Sequence, residues 1–195
     1  MGRVVAIEHM TLDGVMQGPA RIDEDTRDGF EHGGWGIPGS GDPALMKALG
    51  ERMGSAWSLL VGRTTYEDFA KVWPGRSDSM GKALDNVEKF VASTTLTAPL
   101  PWKNSTLLAG DAVAAVAGLK QRHDKTLVIF GSGVLVQALM RHDLIDEYVL
   151  QIHPLVLGKG RRLFPDGGPA TALRLVDSVT AKTGVIVATY RPVSR

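Results

Sequence analysis

The sequence contains no cysteine in its 195 residues. Disulfide bonds, thiolate nucleophiles, iron–sulfur clusters and cysteine-based zinc sites are therefore all excluded. The five histidines include no pair with the spacing of a zinc-binding H-E-x-x-H helix; they are His9, His32, His123, His142 and His153. No serine lies in a G-x-S-x-G elbow. The sequence accordingly predicts no metal site and gives no support for a hydrolase.

An excess of one charge and long apolar runs are missing as well. Lysine and arginine number 22 against 21 acidic residues, a net charge of +1. The densest basic cluster, residues 159–162, is too short to neutralise many phosphates, so we expect no nucleic-acid partner. The first apolar run, residues 4–7, is too short for a signal-peptide core or a membrane span. We therefore expect a cytoplasmic protein without membrane contact.

The composition is that of an ordinary globular protein, with 44% hydrophobic and 22% charged residues. A chain of this length buries roughly 70% of its unfolded surface and folds without external help. We find no linker-like stretch and no internal repeat. The sequence therefore predicts a single domain over residues 1–195.

Strand and helix signals alternate along the first 141 residues. Short apolar runs without polar alternation predict strands buried on both faces at residues 4–7, 59–61, 90–92 and 127–130. Helical patterns lie between or after them, at residues 43–53 behind the capping Asp42, at 64–72, at 111–122 with Asp111 as the cap, and at 132–141. This alternation predicts an α/β fold with a parallel sheet.

The last third of the chain shows a different pattern. Apolar residues alternate with polar ones around residues 148–152 and 173–175, and residues 184–190 are β-branched, with no helical pattern between these segments. Strands joined without a crossover helix pair antiparallel. We therefore predict a mixed sheet, parallel in its centre, flanked by helices and antiparallel at its C-terminal side.

Gly131-Ser132-Gly133 directly follows one predicted strand and opens a predicted helix. Glycine lets the backbone approach an anion closely, and the free amides of a helix N-terminus favour a phosphate. The third glycine of the dinucleotide fingerprint is replaced by Val136, however, and no acidic residue follows at the expected distance. The motif indicates either a diphosphate site or a plain tight turn.

A second strand end carries Gly62-Arg63-Thr64-Thr65-Tyr66-Glu67. A guanidinium beside two hydroxyl groups suits a terminal phosphate such as the 2′-phosphate of NADPH. In the other interpretation Thr64 is an N-cap and Glu67 completes a capping box. Ser93 adds a hydroxyl group at a third strand end. Because ligands of open α/β sheets lie at the carboxyl ends of strands, the three turns together favour one extended ligand with several phosphates.

This combination of motifs resembles the dihydrofolate reductase-like superfamily, in particular the group related to the C-terminal reductase domain of the bifunctional riboflavin biosynthesis deaminase/reductase. The resemblance spans nearly the whole chain in order, from the segment after the first strand to the glycine-rich turn near residue 160. Its parts are residues 11–14, 62–67, 91–93, 131–133, 146–147, 153–160 and 163–164. The family pattern has serine where this chain has Thr11, which keeps the hydroxyl group.

The resemblance implies a cofactor, NADPH, and a place for each of its parts. The adenosine side would contact Gly62, Arg63, Thr64 and Thr65, with Ser93 at the 2′-phosphate. The diphosphate would lie against Gly131, Ser132, Gly133, Val134, Leu135 and Val136. The loop that contains Asp13 and Gly14 would face the nicotinamide.

Hydride transfer also needs a group that supplies a proton to the substrate. Asp13 is the first candidate, because burial beside a nicotinamide would raise its pKa. The alternative is that Asp13 only forms a turn with Gly14. Asp42 has the pattern of an N-cap, and substrate contact is its less favoured interpretation.

We therefore expect an NADPH-dependent reductase that transfers a hydride to a small heterocyclic, pyrimidine- or pterin-like, or carbonyl substrate. The riboflavin-type deaminase step is excluded, because its zinc site requires cysteine. A non-catalytic NADPH- or pterin-binding module is the alternative, and a scaffolding domain is a weaker one. The resemblance and the apolar surface of the last third also indicate a homodimer.

Overall fold

Eight strands form one sheet in the computed structural model, which describes residues 2–193. In chain order they are β1 (Val4–Thr11), β2 (Trp57–Gly62), β3 (Lys89–Ser93), β4 (Ser105–Ala109), β5 (Thr126–Phe130), β6 (Glu147–His153), β7 (Leu173–Thr180) and β8 (Ile186–Pro192). Their spatial order is β4-β3-β2-β5-β1-β6-β8-β7. The first six strands in this order are parallel, and β8 is antiparallel to both β6 and β7. The predicted mixed sheet is confirmed.

Five α-helices connect the strands: α1 (Pro43–Met53), α2 (Arg63–Val72), α3 (Ser79–Asn86), α4 (Ala112–Arg122) and α5 (Gly133–Met140). Short 3₁₀ turns lie at Arg27–Gly29 and Ile37–Gly39. Asp42 caps α1 by accepting from the Ala44 amide at 2.8 Å, and Asp111 caps α4 through the Val113 amide at 2.9 Å. Both predicted caps are therefore confirmed, since each carboxylate satisfies an amide that the first helical turn leaves unpaired.

The helices cover both faces of the sheet. On β1, Val4 and Ala6 pack in one hydrophobic cluster with α4 and α5, whereas Val5 and Ile7 pack in another with α1. A third cluster joins α2 and α3 to β2 and β3 around Tyr66. Because side chains alternate along a strand, the even and odd positions of β1 face opposite layers. None of the helices within residues 2–193 is long and apolar enough to span a bilayer.

Two elements were not predicted from the sequence. Helix α3 follows a Pro- and Gly-containing turn, and it buries only Gly81 and Leu84. Strand β4 lies at the edge of the sheet and is half-exposed, so it has neither a buried apolar run nor a regular alternation. The boundaries of two predicted helices also shift, because α2 starts at Arg63 rather than Thr64 and α5 starts at Gly133 rather than Ser132.

Glu8 is a buried carboxyl group on the central strand. Its side chain points into the α4/α5 layer, since Val4 and Ala6 face that layer at the same parity. The residue is only 1% exposed, and its Oε1 atom has no hydrogen-bond partner among the described residues. Burial raises the pKa of Glu8 well above its usual value, so the carboxyl group is held in its neutral form.

Replacing Glu8 with Met should therefore stabilise the fold. The unfolded chain releases the Glu8 proton above about pH 4.5 while the folded chain retains it, so wild-type stability falls as the pH rises. We expect a gain of about 2 kcal/mol at pH 8, or roughly 4–8 °C in Tm. Thermal unfolding of both proteins from pH 4 to pH 8 measures it. A gain that does not shrink towards pH 4 would contradict a buried neutral carboxyl.

Candidate active site

The glycine-containing turns after β2 and β5 meet at the carboxyl edge of the sheet. The two strands are neighbours, and the Gly62 amide donates a hydrogen bond to Ser132 Oγ at 3.0 Å. The Ser132 side chain, which is free of any capping bond within its own helix, thus joins the start of α2 to the start of α5. Two helix N-termini are held side by side at one point of this edge.

The backbone at the start of α5 is shaped for an anion. Gly131 has a φ of 61°, and Ser132 has left-handed angles of 61° and 39°. Within the described chain, the amides of residues 132–135 have no hydrogen-bond acceptor. These amides and the helix dipole favour a negatively charged group outside the first turn. The predicted segment 131–136 therefore has the form of an anion-binding corner.

Gly133 has a steric role in addition. A Cβ atom at this position would overlap the Sδ atom of Met16, which lies in the loop after β1. A larger residue at position 133 would therefore have to displace the Met16 thioether. Met16 thereby joins the edge of the corner, although sequence analysis did not select it.

Arg63 lies beside the corner, at the first position of α2. Its Nη1 atom lies 3.0 Å from Glu67 Oε2, and the Arg63 side chain is 47% exposed. Gly62, in extended conformation, is the N-cap and supplies no side chain. The interpretation of Thr64 as the N-cap of a capping box is therefore wrong: Glu67 pairs with Arg63 instead. Thr64 is exposed, and the Thr65 side chain lies next to Gly131.

Ser93 ends β3, the strand adjacent to β2. Its Oγ atom accepts from the amides of Thr95 at 3.1 Å and Leu96 at 3.0 Å, and the residue is 8% exposed. These bonds shape the turn after β3 and occupy the oxygen lone pairs. Ser93 thus lies at the predicted edge of the sheet, but its Oγ also lies 3.5 Å from Thr95 Oγ1, so its O–H already has an internal partner.

Asp13 is held by three donors. Its Oδ1 atom accepts from Thr11 Oγ1 at 2.5 Å and from the Leu157 amide at 3.2 Å, and Oδ2 accepts from the Gly158 amide at 2.8 Å. The hydrogen bond from Thr11, followed by those from Gly158 and Leu157, lowers the pKa of Asp13 against a smaller opposing effect of burial. The expectation of a raised pKa is therefore wrong, because the carboxylate is stabilised by donors rather than buried beside apolar groups.

The bonds of Asp13 belong to a larger set that joins the loop after β1 to the segment after β6. The Met16 amide donates to the Arg161 carbonyl oxygen at 2.9 Å, and the Leu163 amide donates to that of Gly14 at 3.1 Å. Arg161 also forms an ion pair with Asp28 at 2.8 Å. The segment 157–164 is thus a structural brace for the loop that contains Asp13 and Gly14.

A polar cluster on the other side of β1 was not selected from the sequence. His9 on β1 and Gln151 on β6 are register partners, and their Nε2 atoms are 3.1 Å apart. His9 Nδ1 lies 2.9 Å from His153 Nε2, and the Trp35 ring packs edge-on against His153 at 5.1 Å. The sequence signal that could have pointed to them is that all three polar residues lie near the carboxyl ends of two buried strands. The members are too far apart in sequence for a spacing motif to show them.

The described residues contain no group of three or more His, Asp or Glu side chains arranged to hold a metal ion. Asp42 has both carboxylate oxygens engaged, since it also accepts from the Lys182 amide at 3.2 Å. The groups that remain for chemistry at this edge are therefore backbone amides, Arg63, hydroxyl groups and the imidazole cluster.

Comparison with known proteins identifies the family and supports the fold. The model of the RibD C-terminal domain family matches residues 3–187. Among curated proteins, the uncharacterised protein YyaP of Bacillus subtilis (strain 168) is 27% identical over 139 residues, which cover 68% of this chain and 72% of YyaP. The family match supports an oxidoreductase.

Solved structures share the architecture. A proposed riboflavin biosynthesis protein of Shewanella sp. PV-4 superimposes with a TM-score of 0.70 at 20% identity, covering 98% of this chain and 99% of that one. Dihydrofolate reductase of Enterococcus faecalis, solved as a complex with NADP(H), gives a TM-score of 0.60 at 16% identity, with coverage of 99% and 98%. At these identities the similarity concerns the fold, which is dihydrofolate reductase-like.

Replacing Asp13 with Asn should destabilise the protein at neutral pH. The lowered pKa means that the ionised carboxylate adds stability above its unfolded value of about 3.8, and that this stability is lost as the pH falls through the folded pKa. Because the side chain is partly exposed, we expect a loss of only about 1 kcal/mol at pH 7. Urea unfolding at pH 7 and pH 3 measures it. An equal loss at both values would show that charge plays no part.

Proposed function

Because the chain belongs to the RibD C-terminal domain family, we propose that it is an NADPH-dependent reductase of small heterocyclic or carbonyl compounds. The observation that carries this proposal is the hydrogen bond between Gly62 and Ser132, which brings two helix N-termini together on adjacent strands. A dinucleotide has several phosphates in one extended molecule, and this edge offers two neighbouring helix N-termini whose amides favour phosphates.

The diphosphate fits the start of α5. The unpaired amides of residues 132–135 would donate to its oxygens, and the positive φ of Gly131 shapes the turn that presents them. Met16 and Gly14, which lie in the braced loop after β1, would border the nicotinamide. When bound, the cofactor supplies the hydride, and the protein supplies position and a proton.

The 2′-phosphate of NADPH would lie near Arg63. A guanidinium at a helix start offers charge and paired donors to a phosphate, and the exposed Thr64 and the neighbouring Thr65 add hydroxyl groups. In this structure, the carboxylate of Glu67 partly neutralises the charge of Arg63. Ser93 would contribute its O–H by exchanging the contact with Thr95 Oγ1 for one with the phosphate.

A non-catalytic NADPH- or pterin-binding module is the second candidate, and the state of Asp13 favours it over a carboxylate-driven reductase. A turnover measurement distinguishes the binding module from the reductase. A reductase oxidises bound NADPH with some member of a panel of pterins, pyrimidines and carbonyl compounds, whereas a binding module retains affinity and never does.

The chain is also proposed to form a homodimer that acts in the cytoplasm. Strand β7 is an edge strand, and two apolar residues at opposite ends of the β7–β8 pair, Leu175 and Ile186, are exposed by 51% and 39%. Apolar side chains beside an open strand edge are suited to a two-fold contact with a second copy.

Titration of tryptophan fluorescence with NADPH and NADH tests the cofactor. We expect NADPH to bind about 10–100 times more tightly than NADH, and Arg63→Ala to remove that difference while leaving NADH affinity unchanged, because Arg63 contacts only the extra phosphate. Glu67→Gln should tighten NADPH alone, since it frees Arg63. Ser132→Ala should weaken both cofactors alike, because it removes the bond that holds the corner together.

Lys47→Ala is the matched control, since Lys47 forms an exposed i,i+4 pair with Glu51 on α1 in the way that Arg63 does with Glu67 on α2. It should leave both affinities unchanged. If the wild-type protein binds neither nucleotide, the cofactor proposal is refuted, and the chain shares only the fold of reductases.

Light scattering tests the dimer. We expect twice the 20.9 kDa chain mass at low micromolar concentration, and a shift towards the monomer in Leu175→Lys. Ile22→Lys is the control, because Ile22 is 79% exposed and lies in the loop after β1 rather than on the edge strand. A monomer mass for the wild type would refute the dimer.

A further inference from the structure

Glu8 on β1 is a buried carboxyl group to which the fold gives no partner. It is 1% exposed, and its Oε1 atom has no hydrogen-bond partner among residues 2–193. Burial alone raises the pKa of Glu8, so no described donor or cation stabilises a carboxylate at this position. An unpartnered polar group in the interior costs stability that an apolar residue would not cost. Its presence therefore indicates a partner that comes from outside the chain.

The place of Glu8 in the sheet is where the pairing between β1 and β5 ends. The last paired residues are Ile7 and Phe130, so Glu8 is the first residue of β1 with no partner on that side. On its other side Glu8 pairs with Leu150 of β6. Phe130 is followed by Gly131, which has a φ of 61° and no side chain. Glu8 thus borders the point where β5 leaves the sheet and enters the anion-binding corner.

The side chain of Glu8 lies on the same side of the sheet as α5. Ala6, two residues earlier on β1, belongs to the hydrophobic cluster that includes Val136 near the start of α5. Residues two apart on a strand share a face, so Glu8 faces this cluster too. Met16 packs against the same cluster, and its thioether lies where a side chain of residue Gly133 would be. Methionine is unbranched and adaptable, so this side chain can move while the loop backbone stays in place.

The order of the strands matches the order of the parts of a dinucleotide. Strands β2, β5 and β1 are neighbours in this order. The proposed 2′-phosphate site follows β2 at Arg63, and the proposed diphosphate site follows β5 at residues 131–136. The far end of the same extended molecule would therefore reach β1, one strand spacing of about 4.8 Å further on.

Glu8 is also distinguished from the other buried side chains that have an unpartnered atom. Within residues 2–193 these are Ser105 and Glu147, and each begins its strand, β4 or β6. Both strands run parallel to their neighbours β3 and β1, so these two residues lie at the amino edge of the sheet. Among the described residues, only Glu8 brings such an atom to the carboxyl edge.

The chemistry of Glu8 selects an uncharged partner. A neutral carboxyl group has one donor, its O–H, beside one acceptor, its C=O. A primary amide has the complementary pair, a C=O beside an N–H, so the two groups fit together through two hydrogen bonds. A phosphate only accepts, and it would leave the C=O of Glu8 unpaired. The nicotinamide ring of NADPH carries a primary amide.

We propose that Glu8 binds the carboxamide of the nicotinamide, with its O–H donating to the amide oxygen and its C=O accepting from the amide N–H. The Met16 side chain moves aside to admit the ring. This inference rests on the proposed function. The stability that Glu8 costs the free protein is then exchanged for a fixed orientation of the ring that carries the hydride.

Calorimetric titration with two ligands tests the role of Glu8. 2′-Phospho-ADP-ribose is the matched ligand, because it has the adenosine, the 2′-phosphate and the diphosphate of NADPH but no nicotinamide. We expect Glu8→Met to weaken NADPH about 10- to 100-fold and to leave 2′-phospho-ADP-ribose within about twofold. Glu8→Gln should keep both affinities within about threefold, since its amide offers the same donor and acceptor pair. Because Glu8→Met is expected to be the more stable protein, unfolding would not explain weaker binding.

Glu147→Gln is the matched control variant. Glu147 is fully buried and also has an unpartnered Oε1 atom, but it lies at the opposite edge of the sheet from the proposed cofactor site. The substitution should leave the affinities for both ligands unchanged.

Infrared difference spectra provide a readout that does not depend on affinity. The C=O stretching band of a protonated carboxyl group moves to lower frequency when the group enters two hydrogen bonds. We expect the wild-type protein to show a band of this kind that is absent from Glu8→Gln. NADPH should lower its frequency, whereas 2′-phospho-ADP-ribose should not. A band that stays in place when NADPH binds would overturn the pairing.

The outcomes separate the two proposals. If NADPH does not bind to the wild-type protein, the proposed function fails. If NADPH binds, but Glu8→Met retains the wild-type affinity or loses both ligands equally, the role of Glu8 is overturned while the cofactor proposal stands.

Discussion

The hydrogen bond from the Gly62 amide to Ser132 Oγ is the contact on which the candidate site depends. It spans two neighbouring parallel strands and fixes the starts of α2 and α5 relative to each other. Without it, each helix would still present unpaired amides, but the two sets would have no defined distance between them. Ser132 accepts a left-handed backbone conformation to place this side chain, which costs a non-glycine residue some free energy. The strain and the bond are thus parts of one arrangement.

The middle of the sheet is unusual in the polar groups that it buries. Glu8 and His9 are consecutive on β1 and face opposite layers, one towards α5 and one towards α1. Glu8 has an oxygen without a partner, whereas His9 has a partner at each ring nitrogen. A buried polar group without a partner costs stability, and a connected one fixes geometry. The central strand therefore carries a destabilising group and an organising group side by side.

Local signals made much of the fold predictable. Asp42 and Asp111 cap helices through amides two residues ahead, and a contact so short in sequence is readable from residue type alone. The three strand ends at Gly62, Ser93 and Gly131 were also placed correctly at one edge. Their strands lie side by side in the order β3-β2-β5 and are parallel, so their carboxyl ends share one edge of the sheet.

The chemistry of the site was less accessible to sequence reasoning, because it depends on contacts between distant segments. The pKa of Asp13 is set by amides 144 and 145 residues away, and the His9 pair is likewise 144 residues apart. Strand β4 is half-exposed at the sheet edge, and the true start of α2 depends on the extended backbone of Gly62 as the N-cap, which residue type does not reveal. Residue types showed which groups were present, and only the register between β1 and β6 showed which of them meet.

The brace between the loop after β1 and the segment after β6 has a thermodynamic consequence. Two peptide segments joined by several backbone hydrogen bonds move as one body, so neither swings away alone. The chain around Trp35 is held as well, because Trp35 Nε1 donates to the Gln17 carbonyl oxygen at 2.7 Å and the amides of Gly34 and Gly36 donate to the carbonyl oxygens of Gly18 and Pro19 at 2.8 Å and 2.9 Å. The edge of the sheet is therefore bordered on both sides by chain that hydrogen bonds hold in place, which lowers the ordering cost of binding a molecule there.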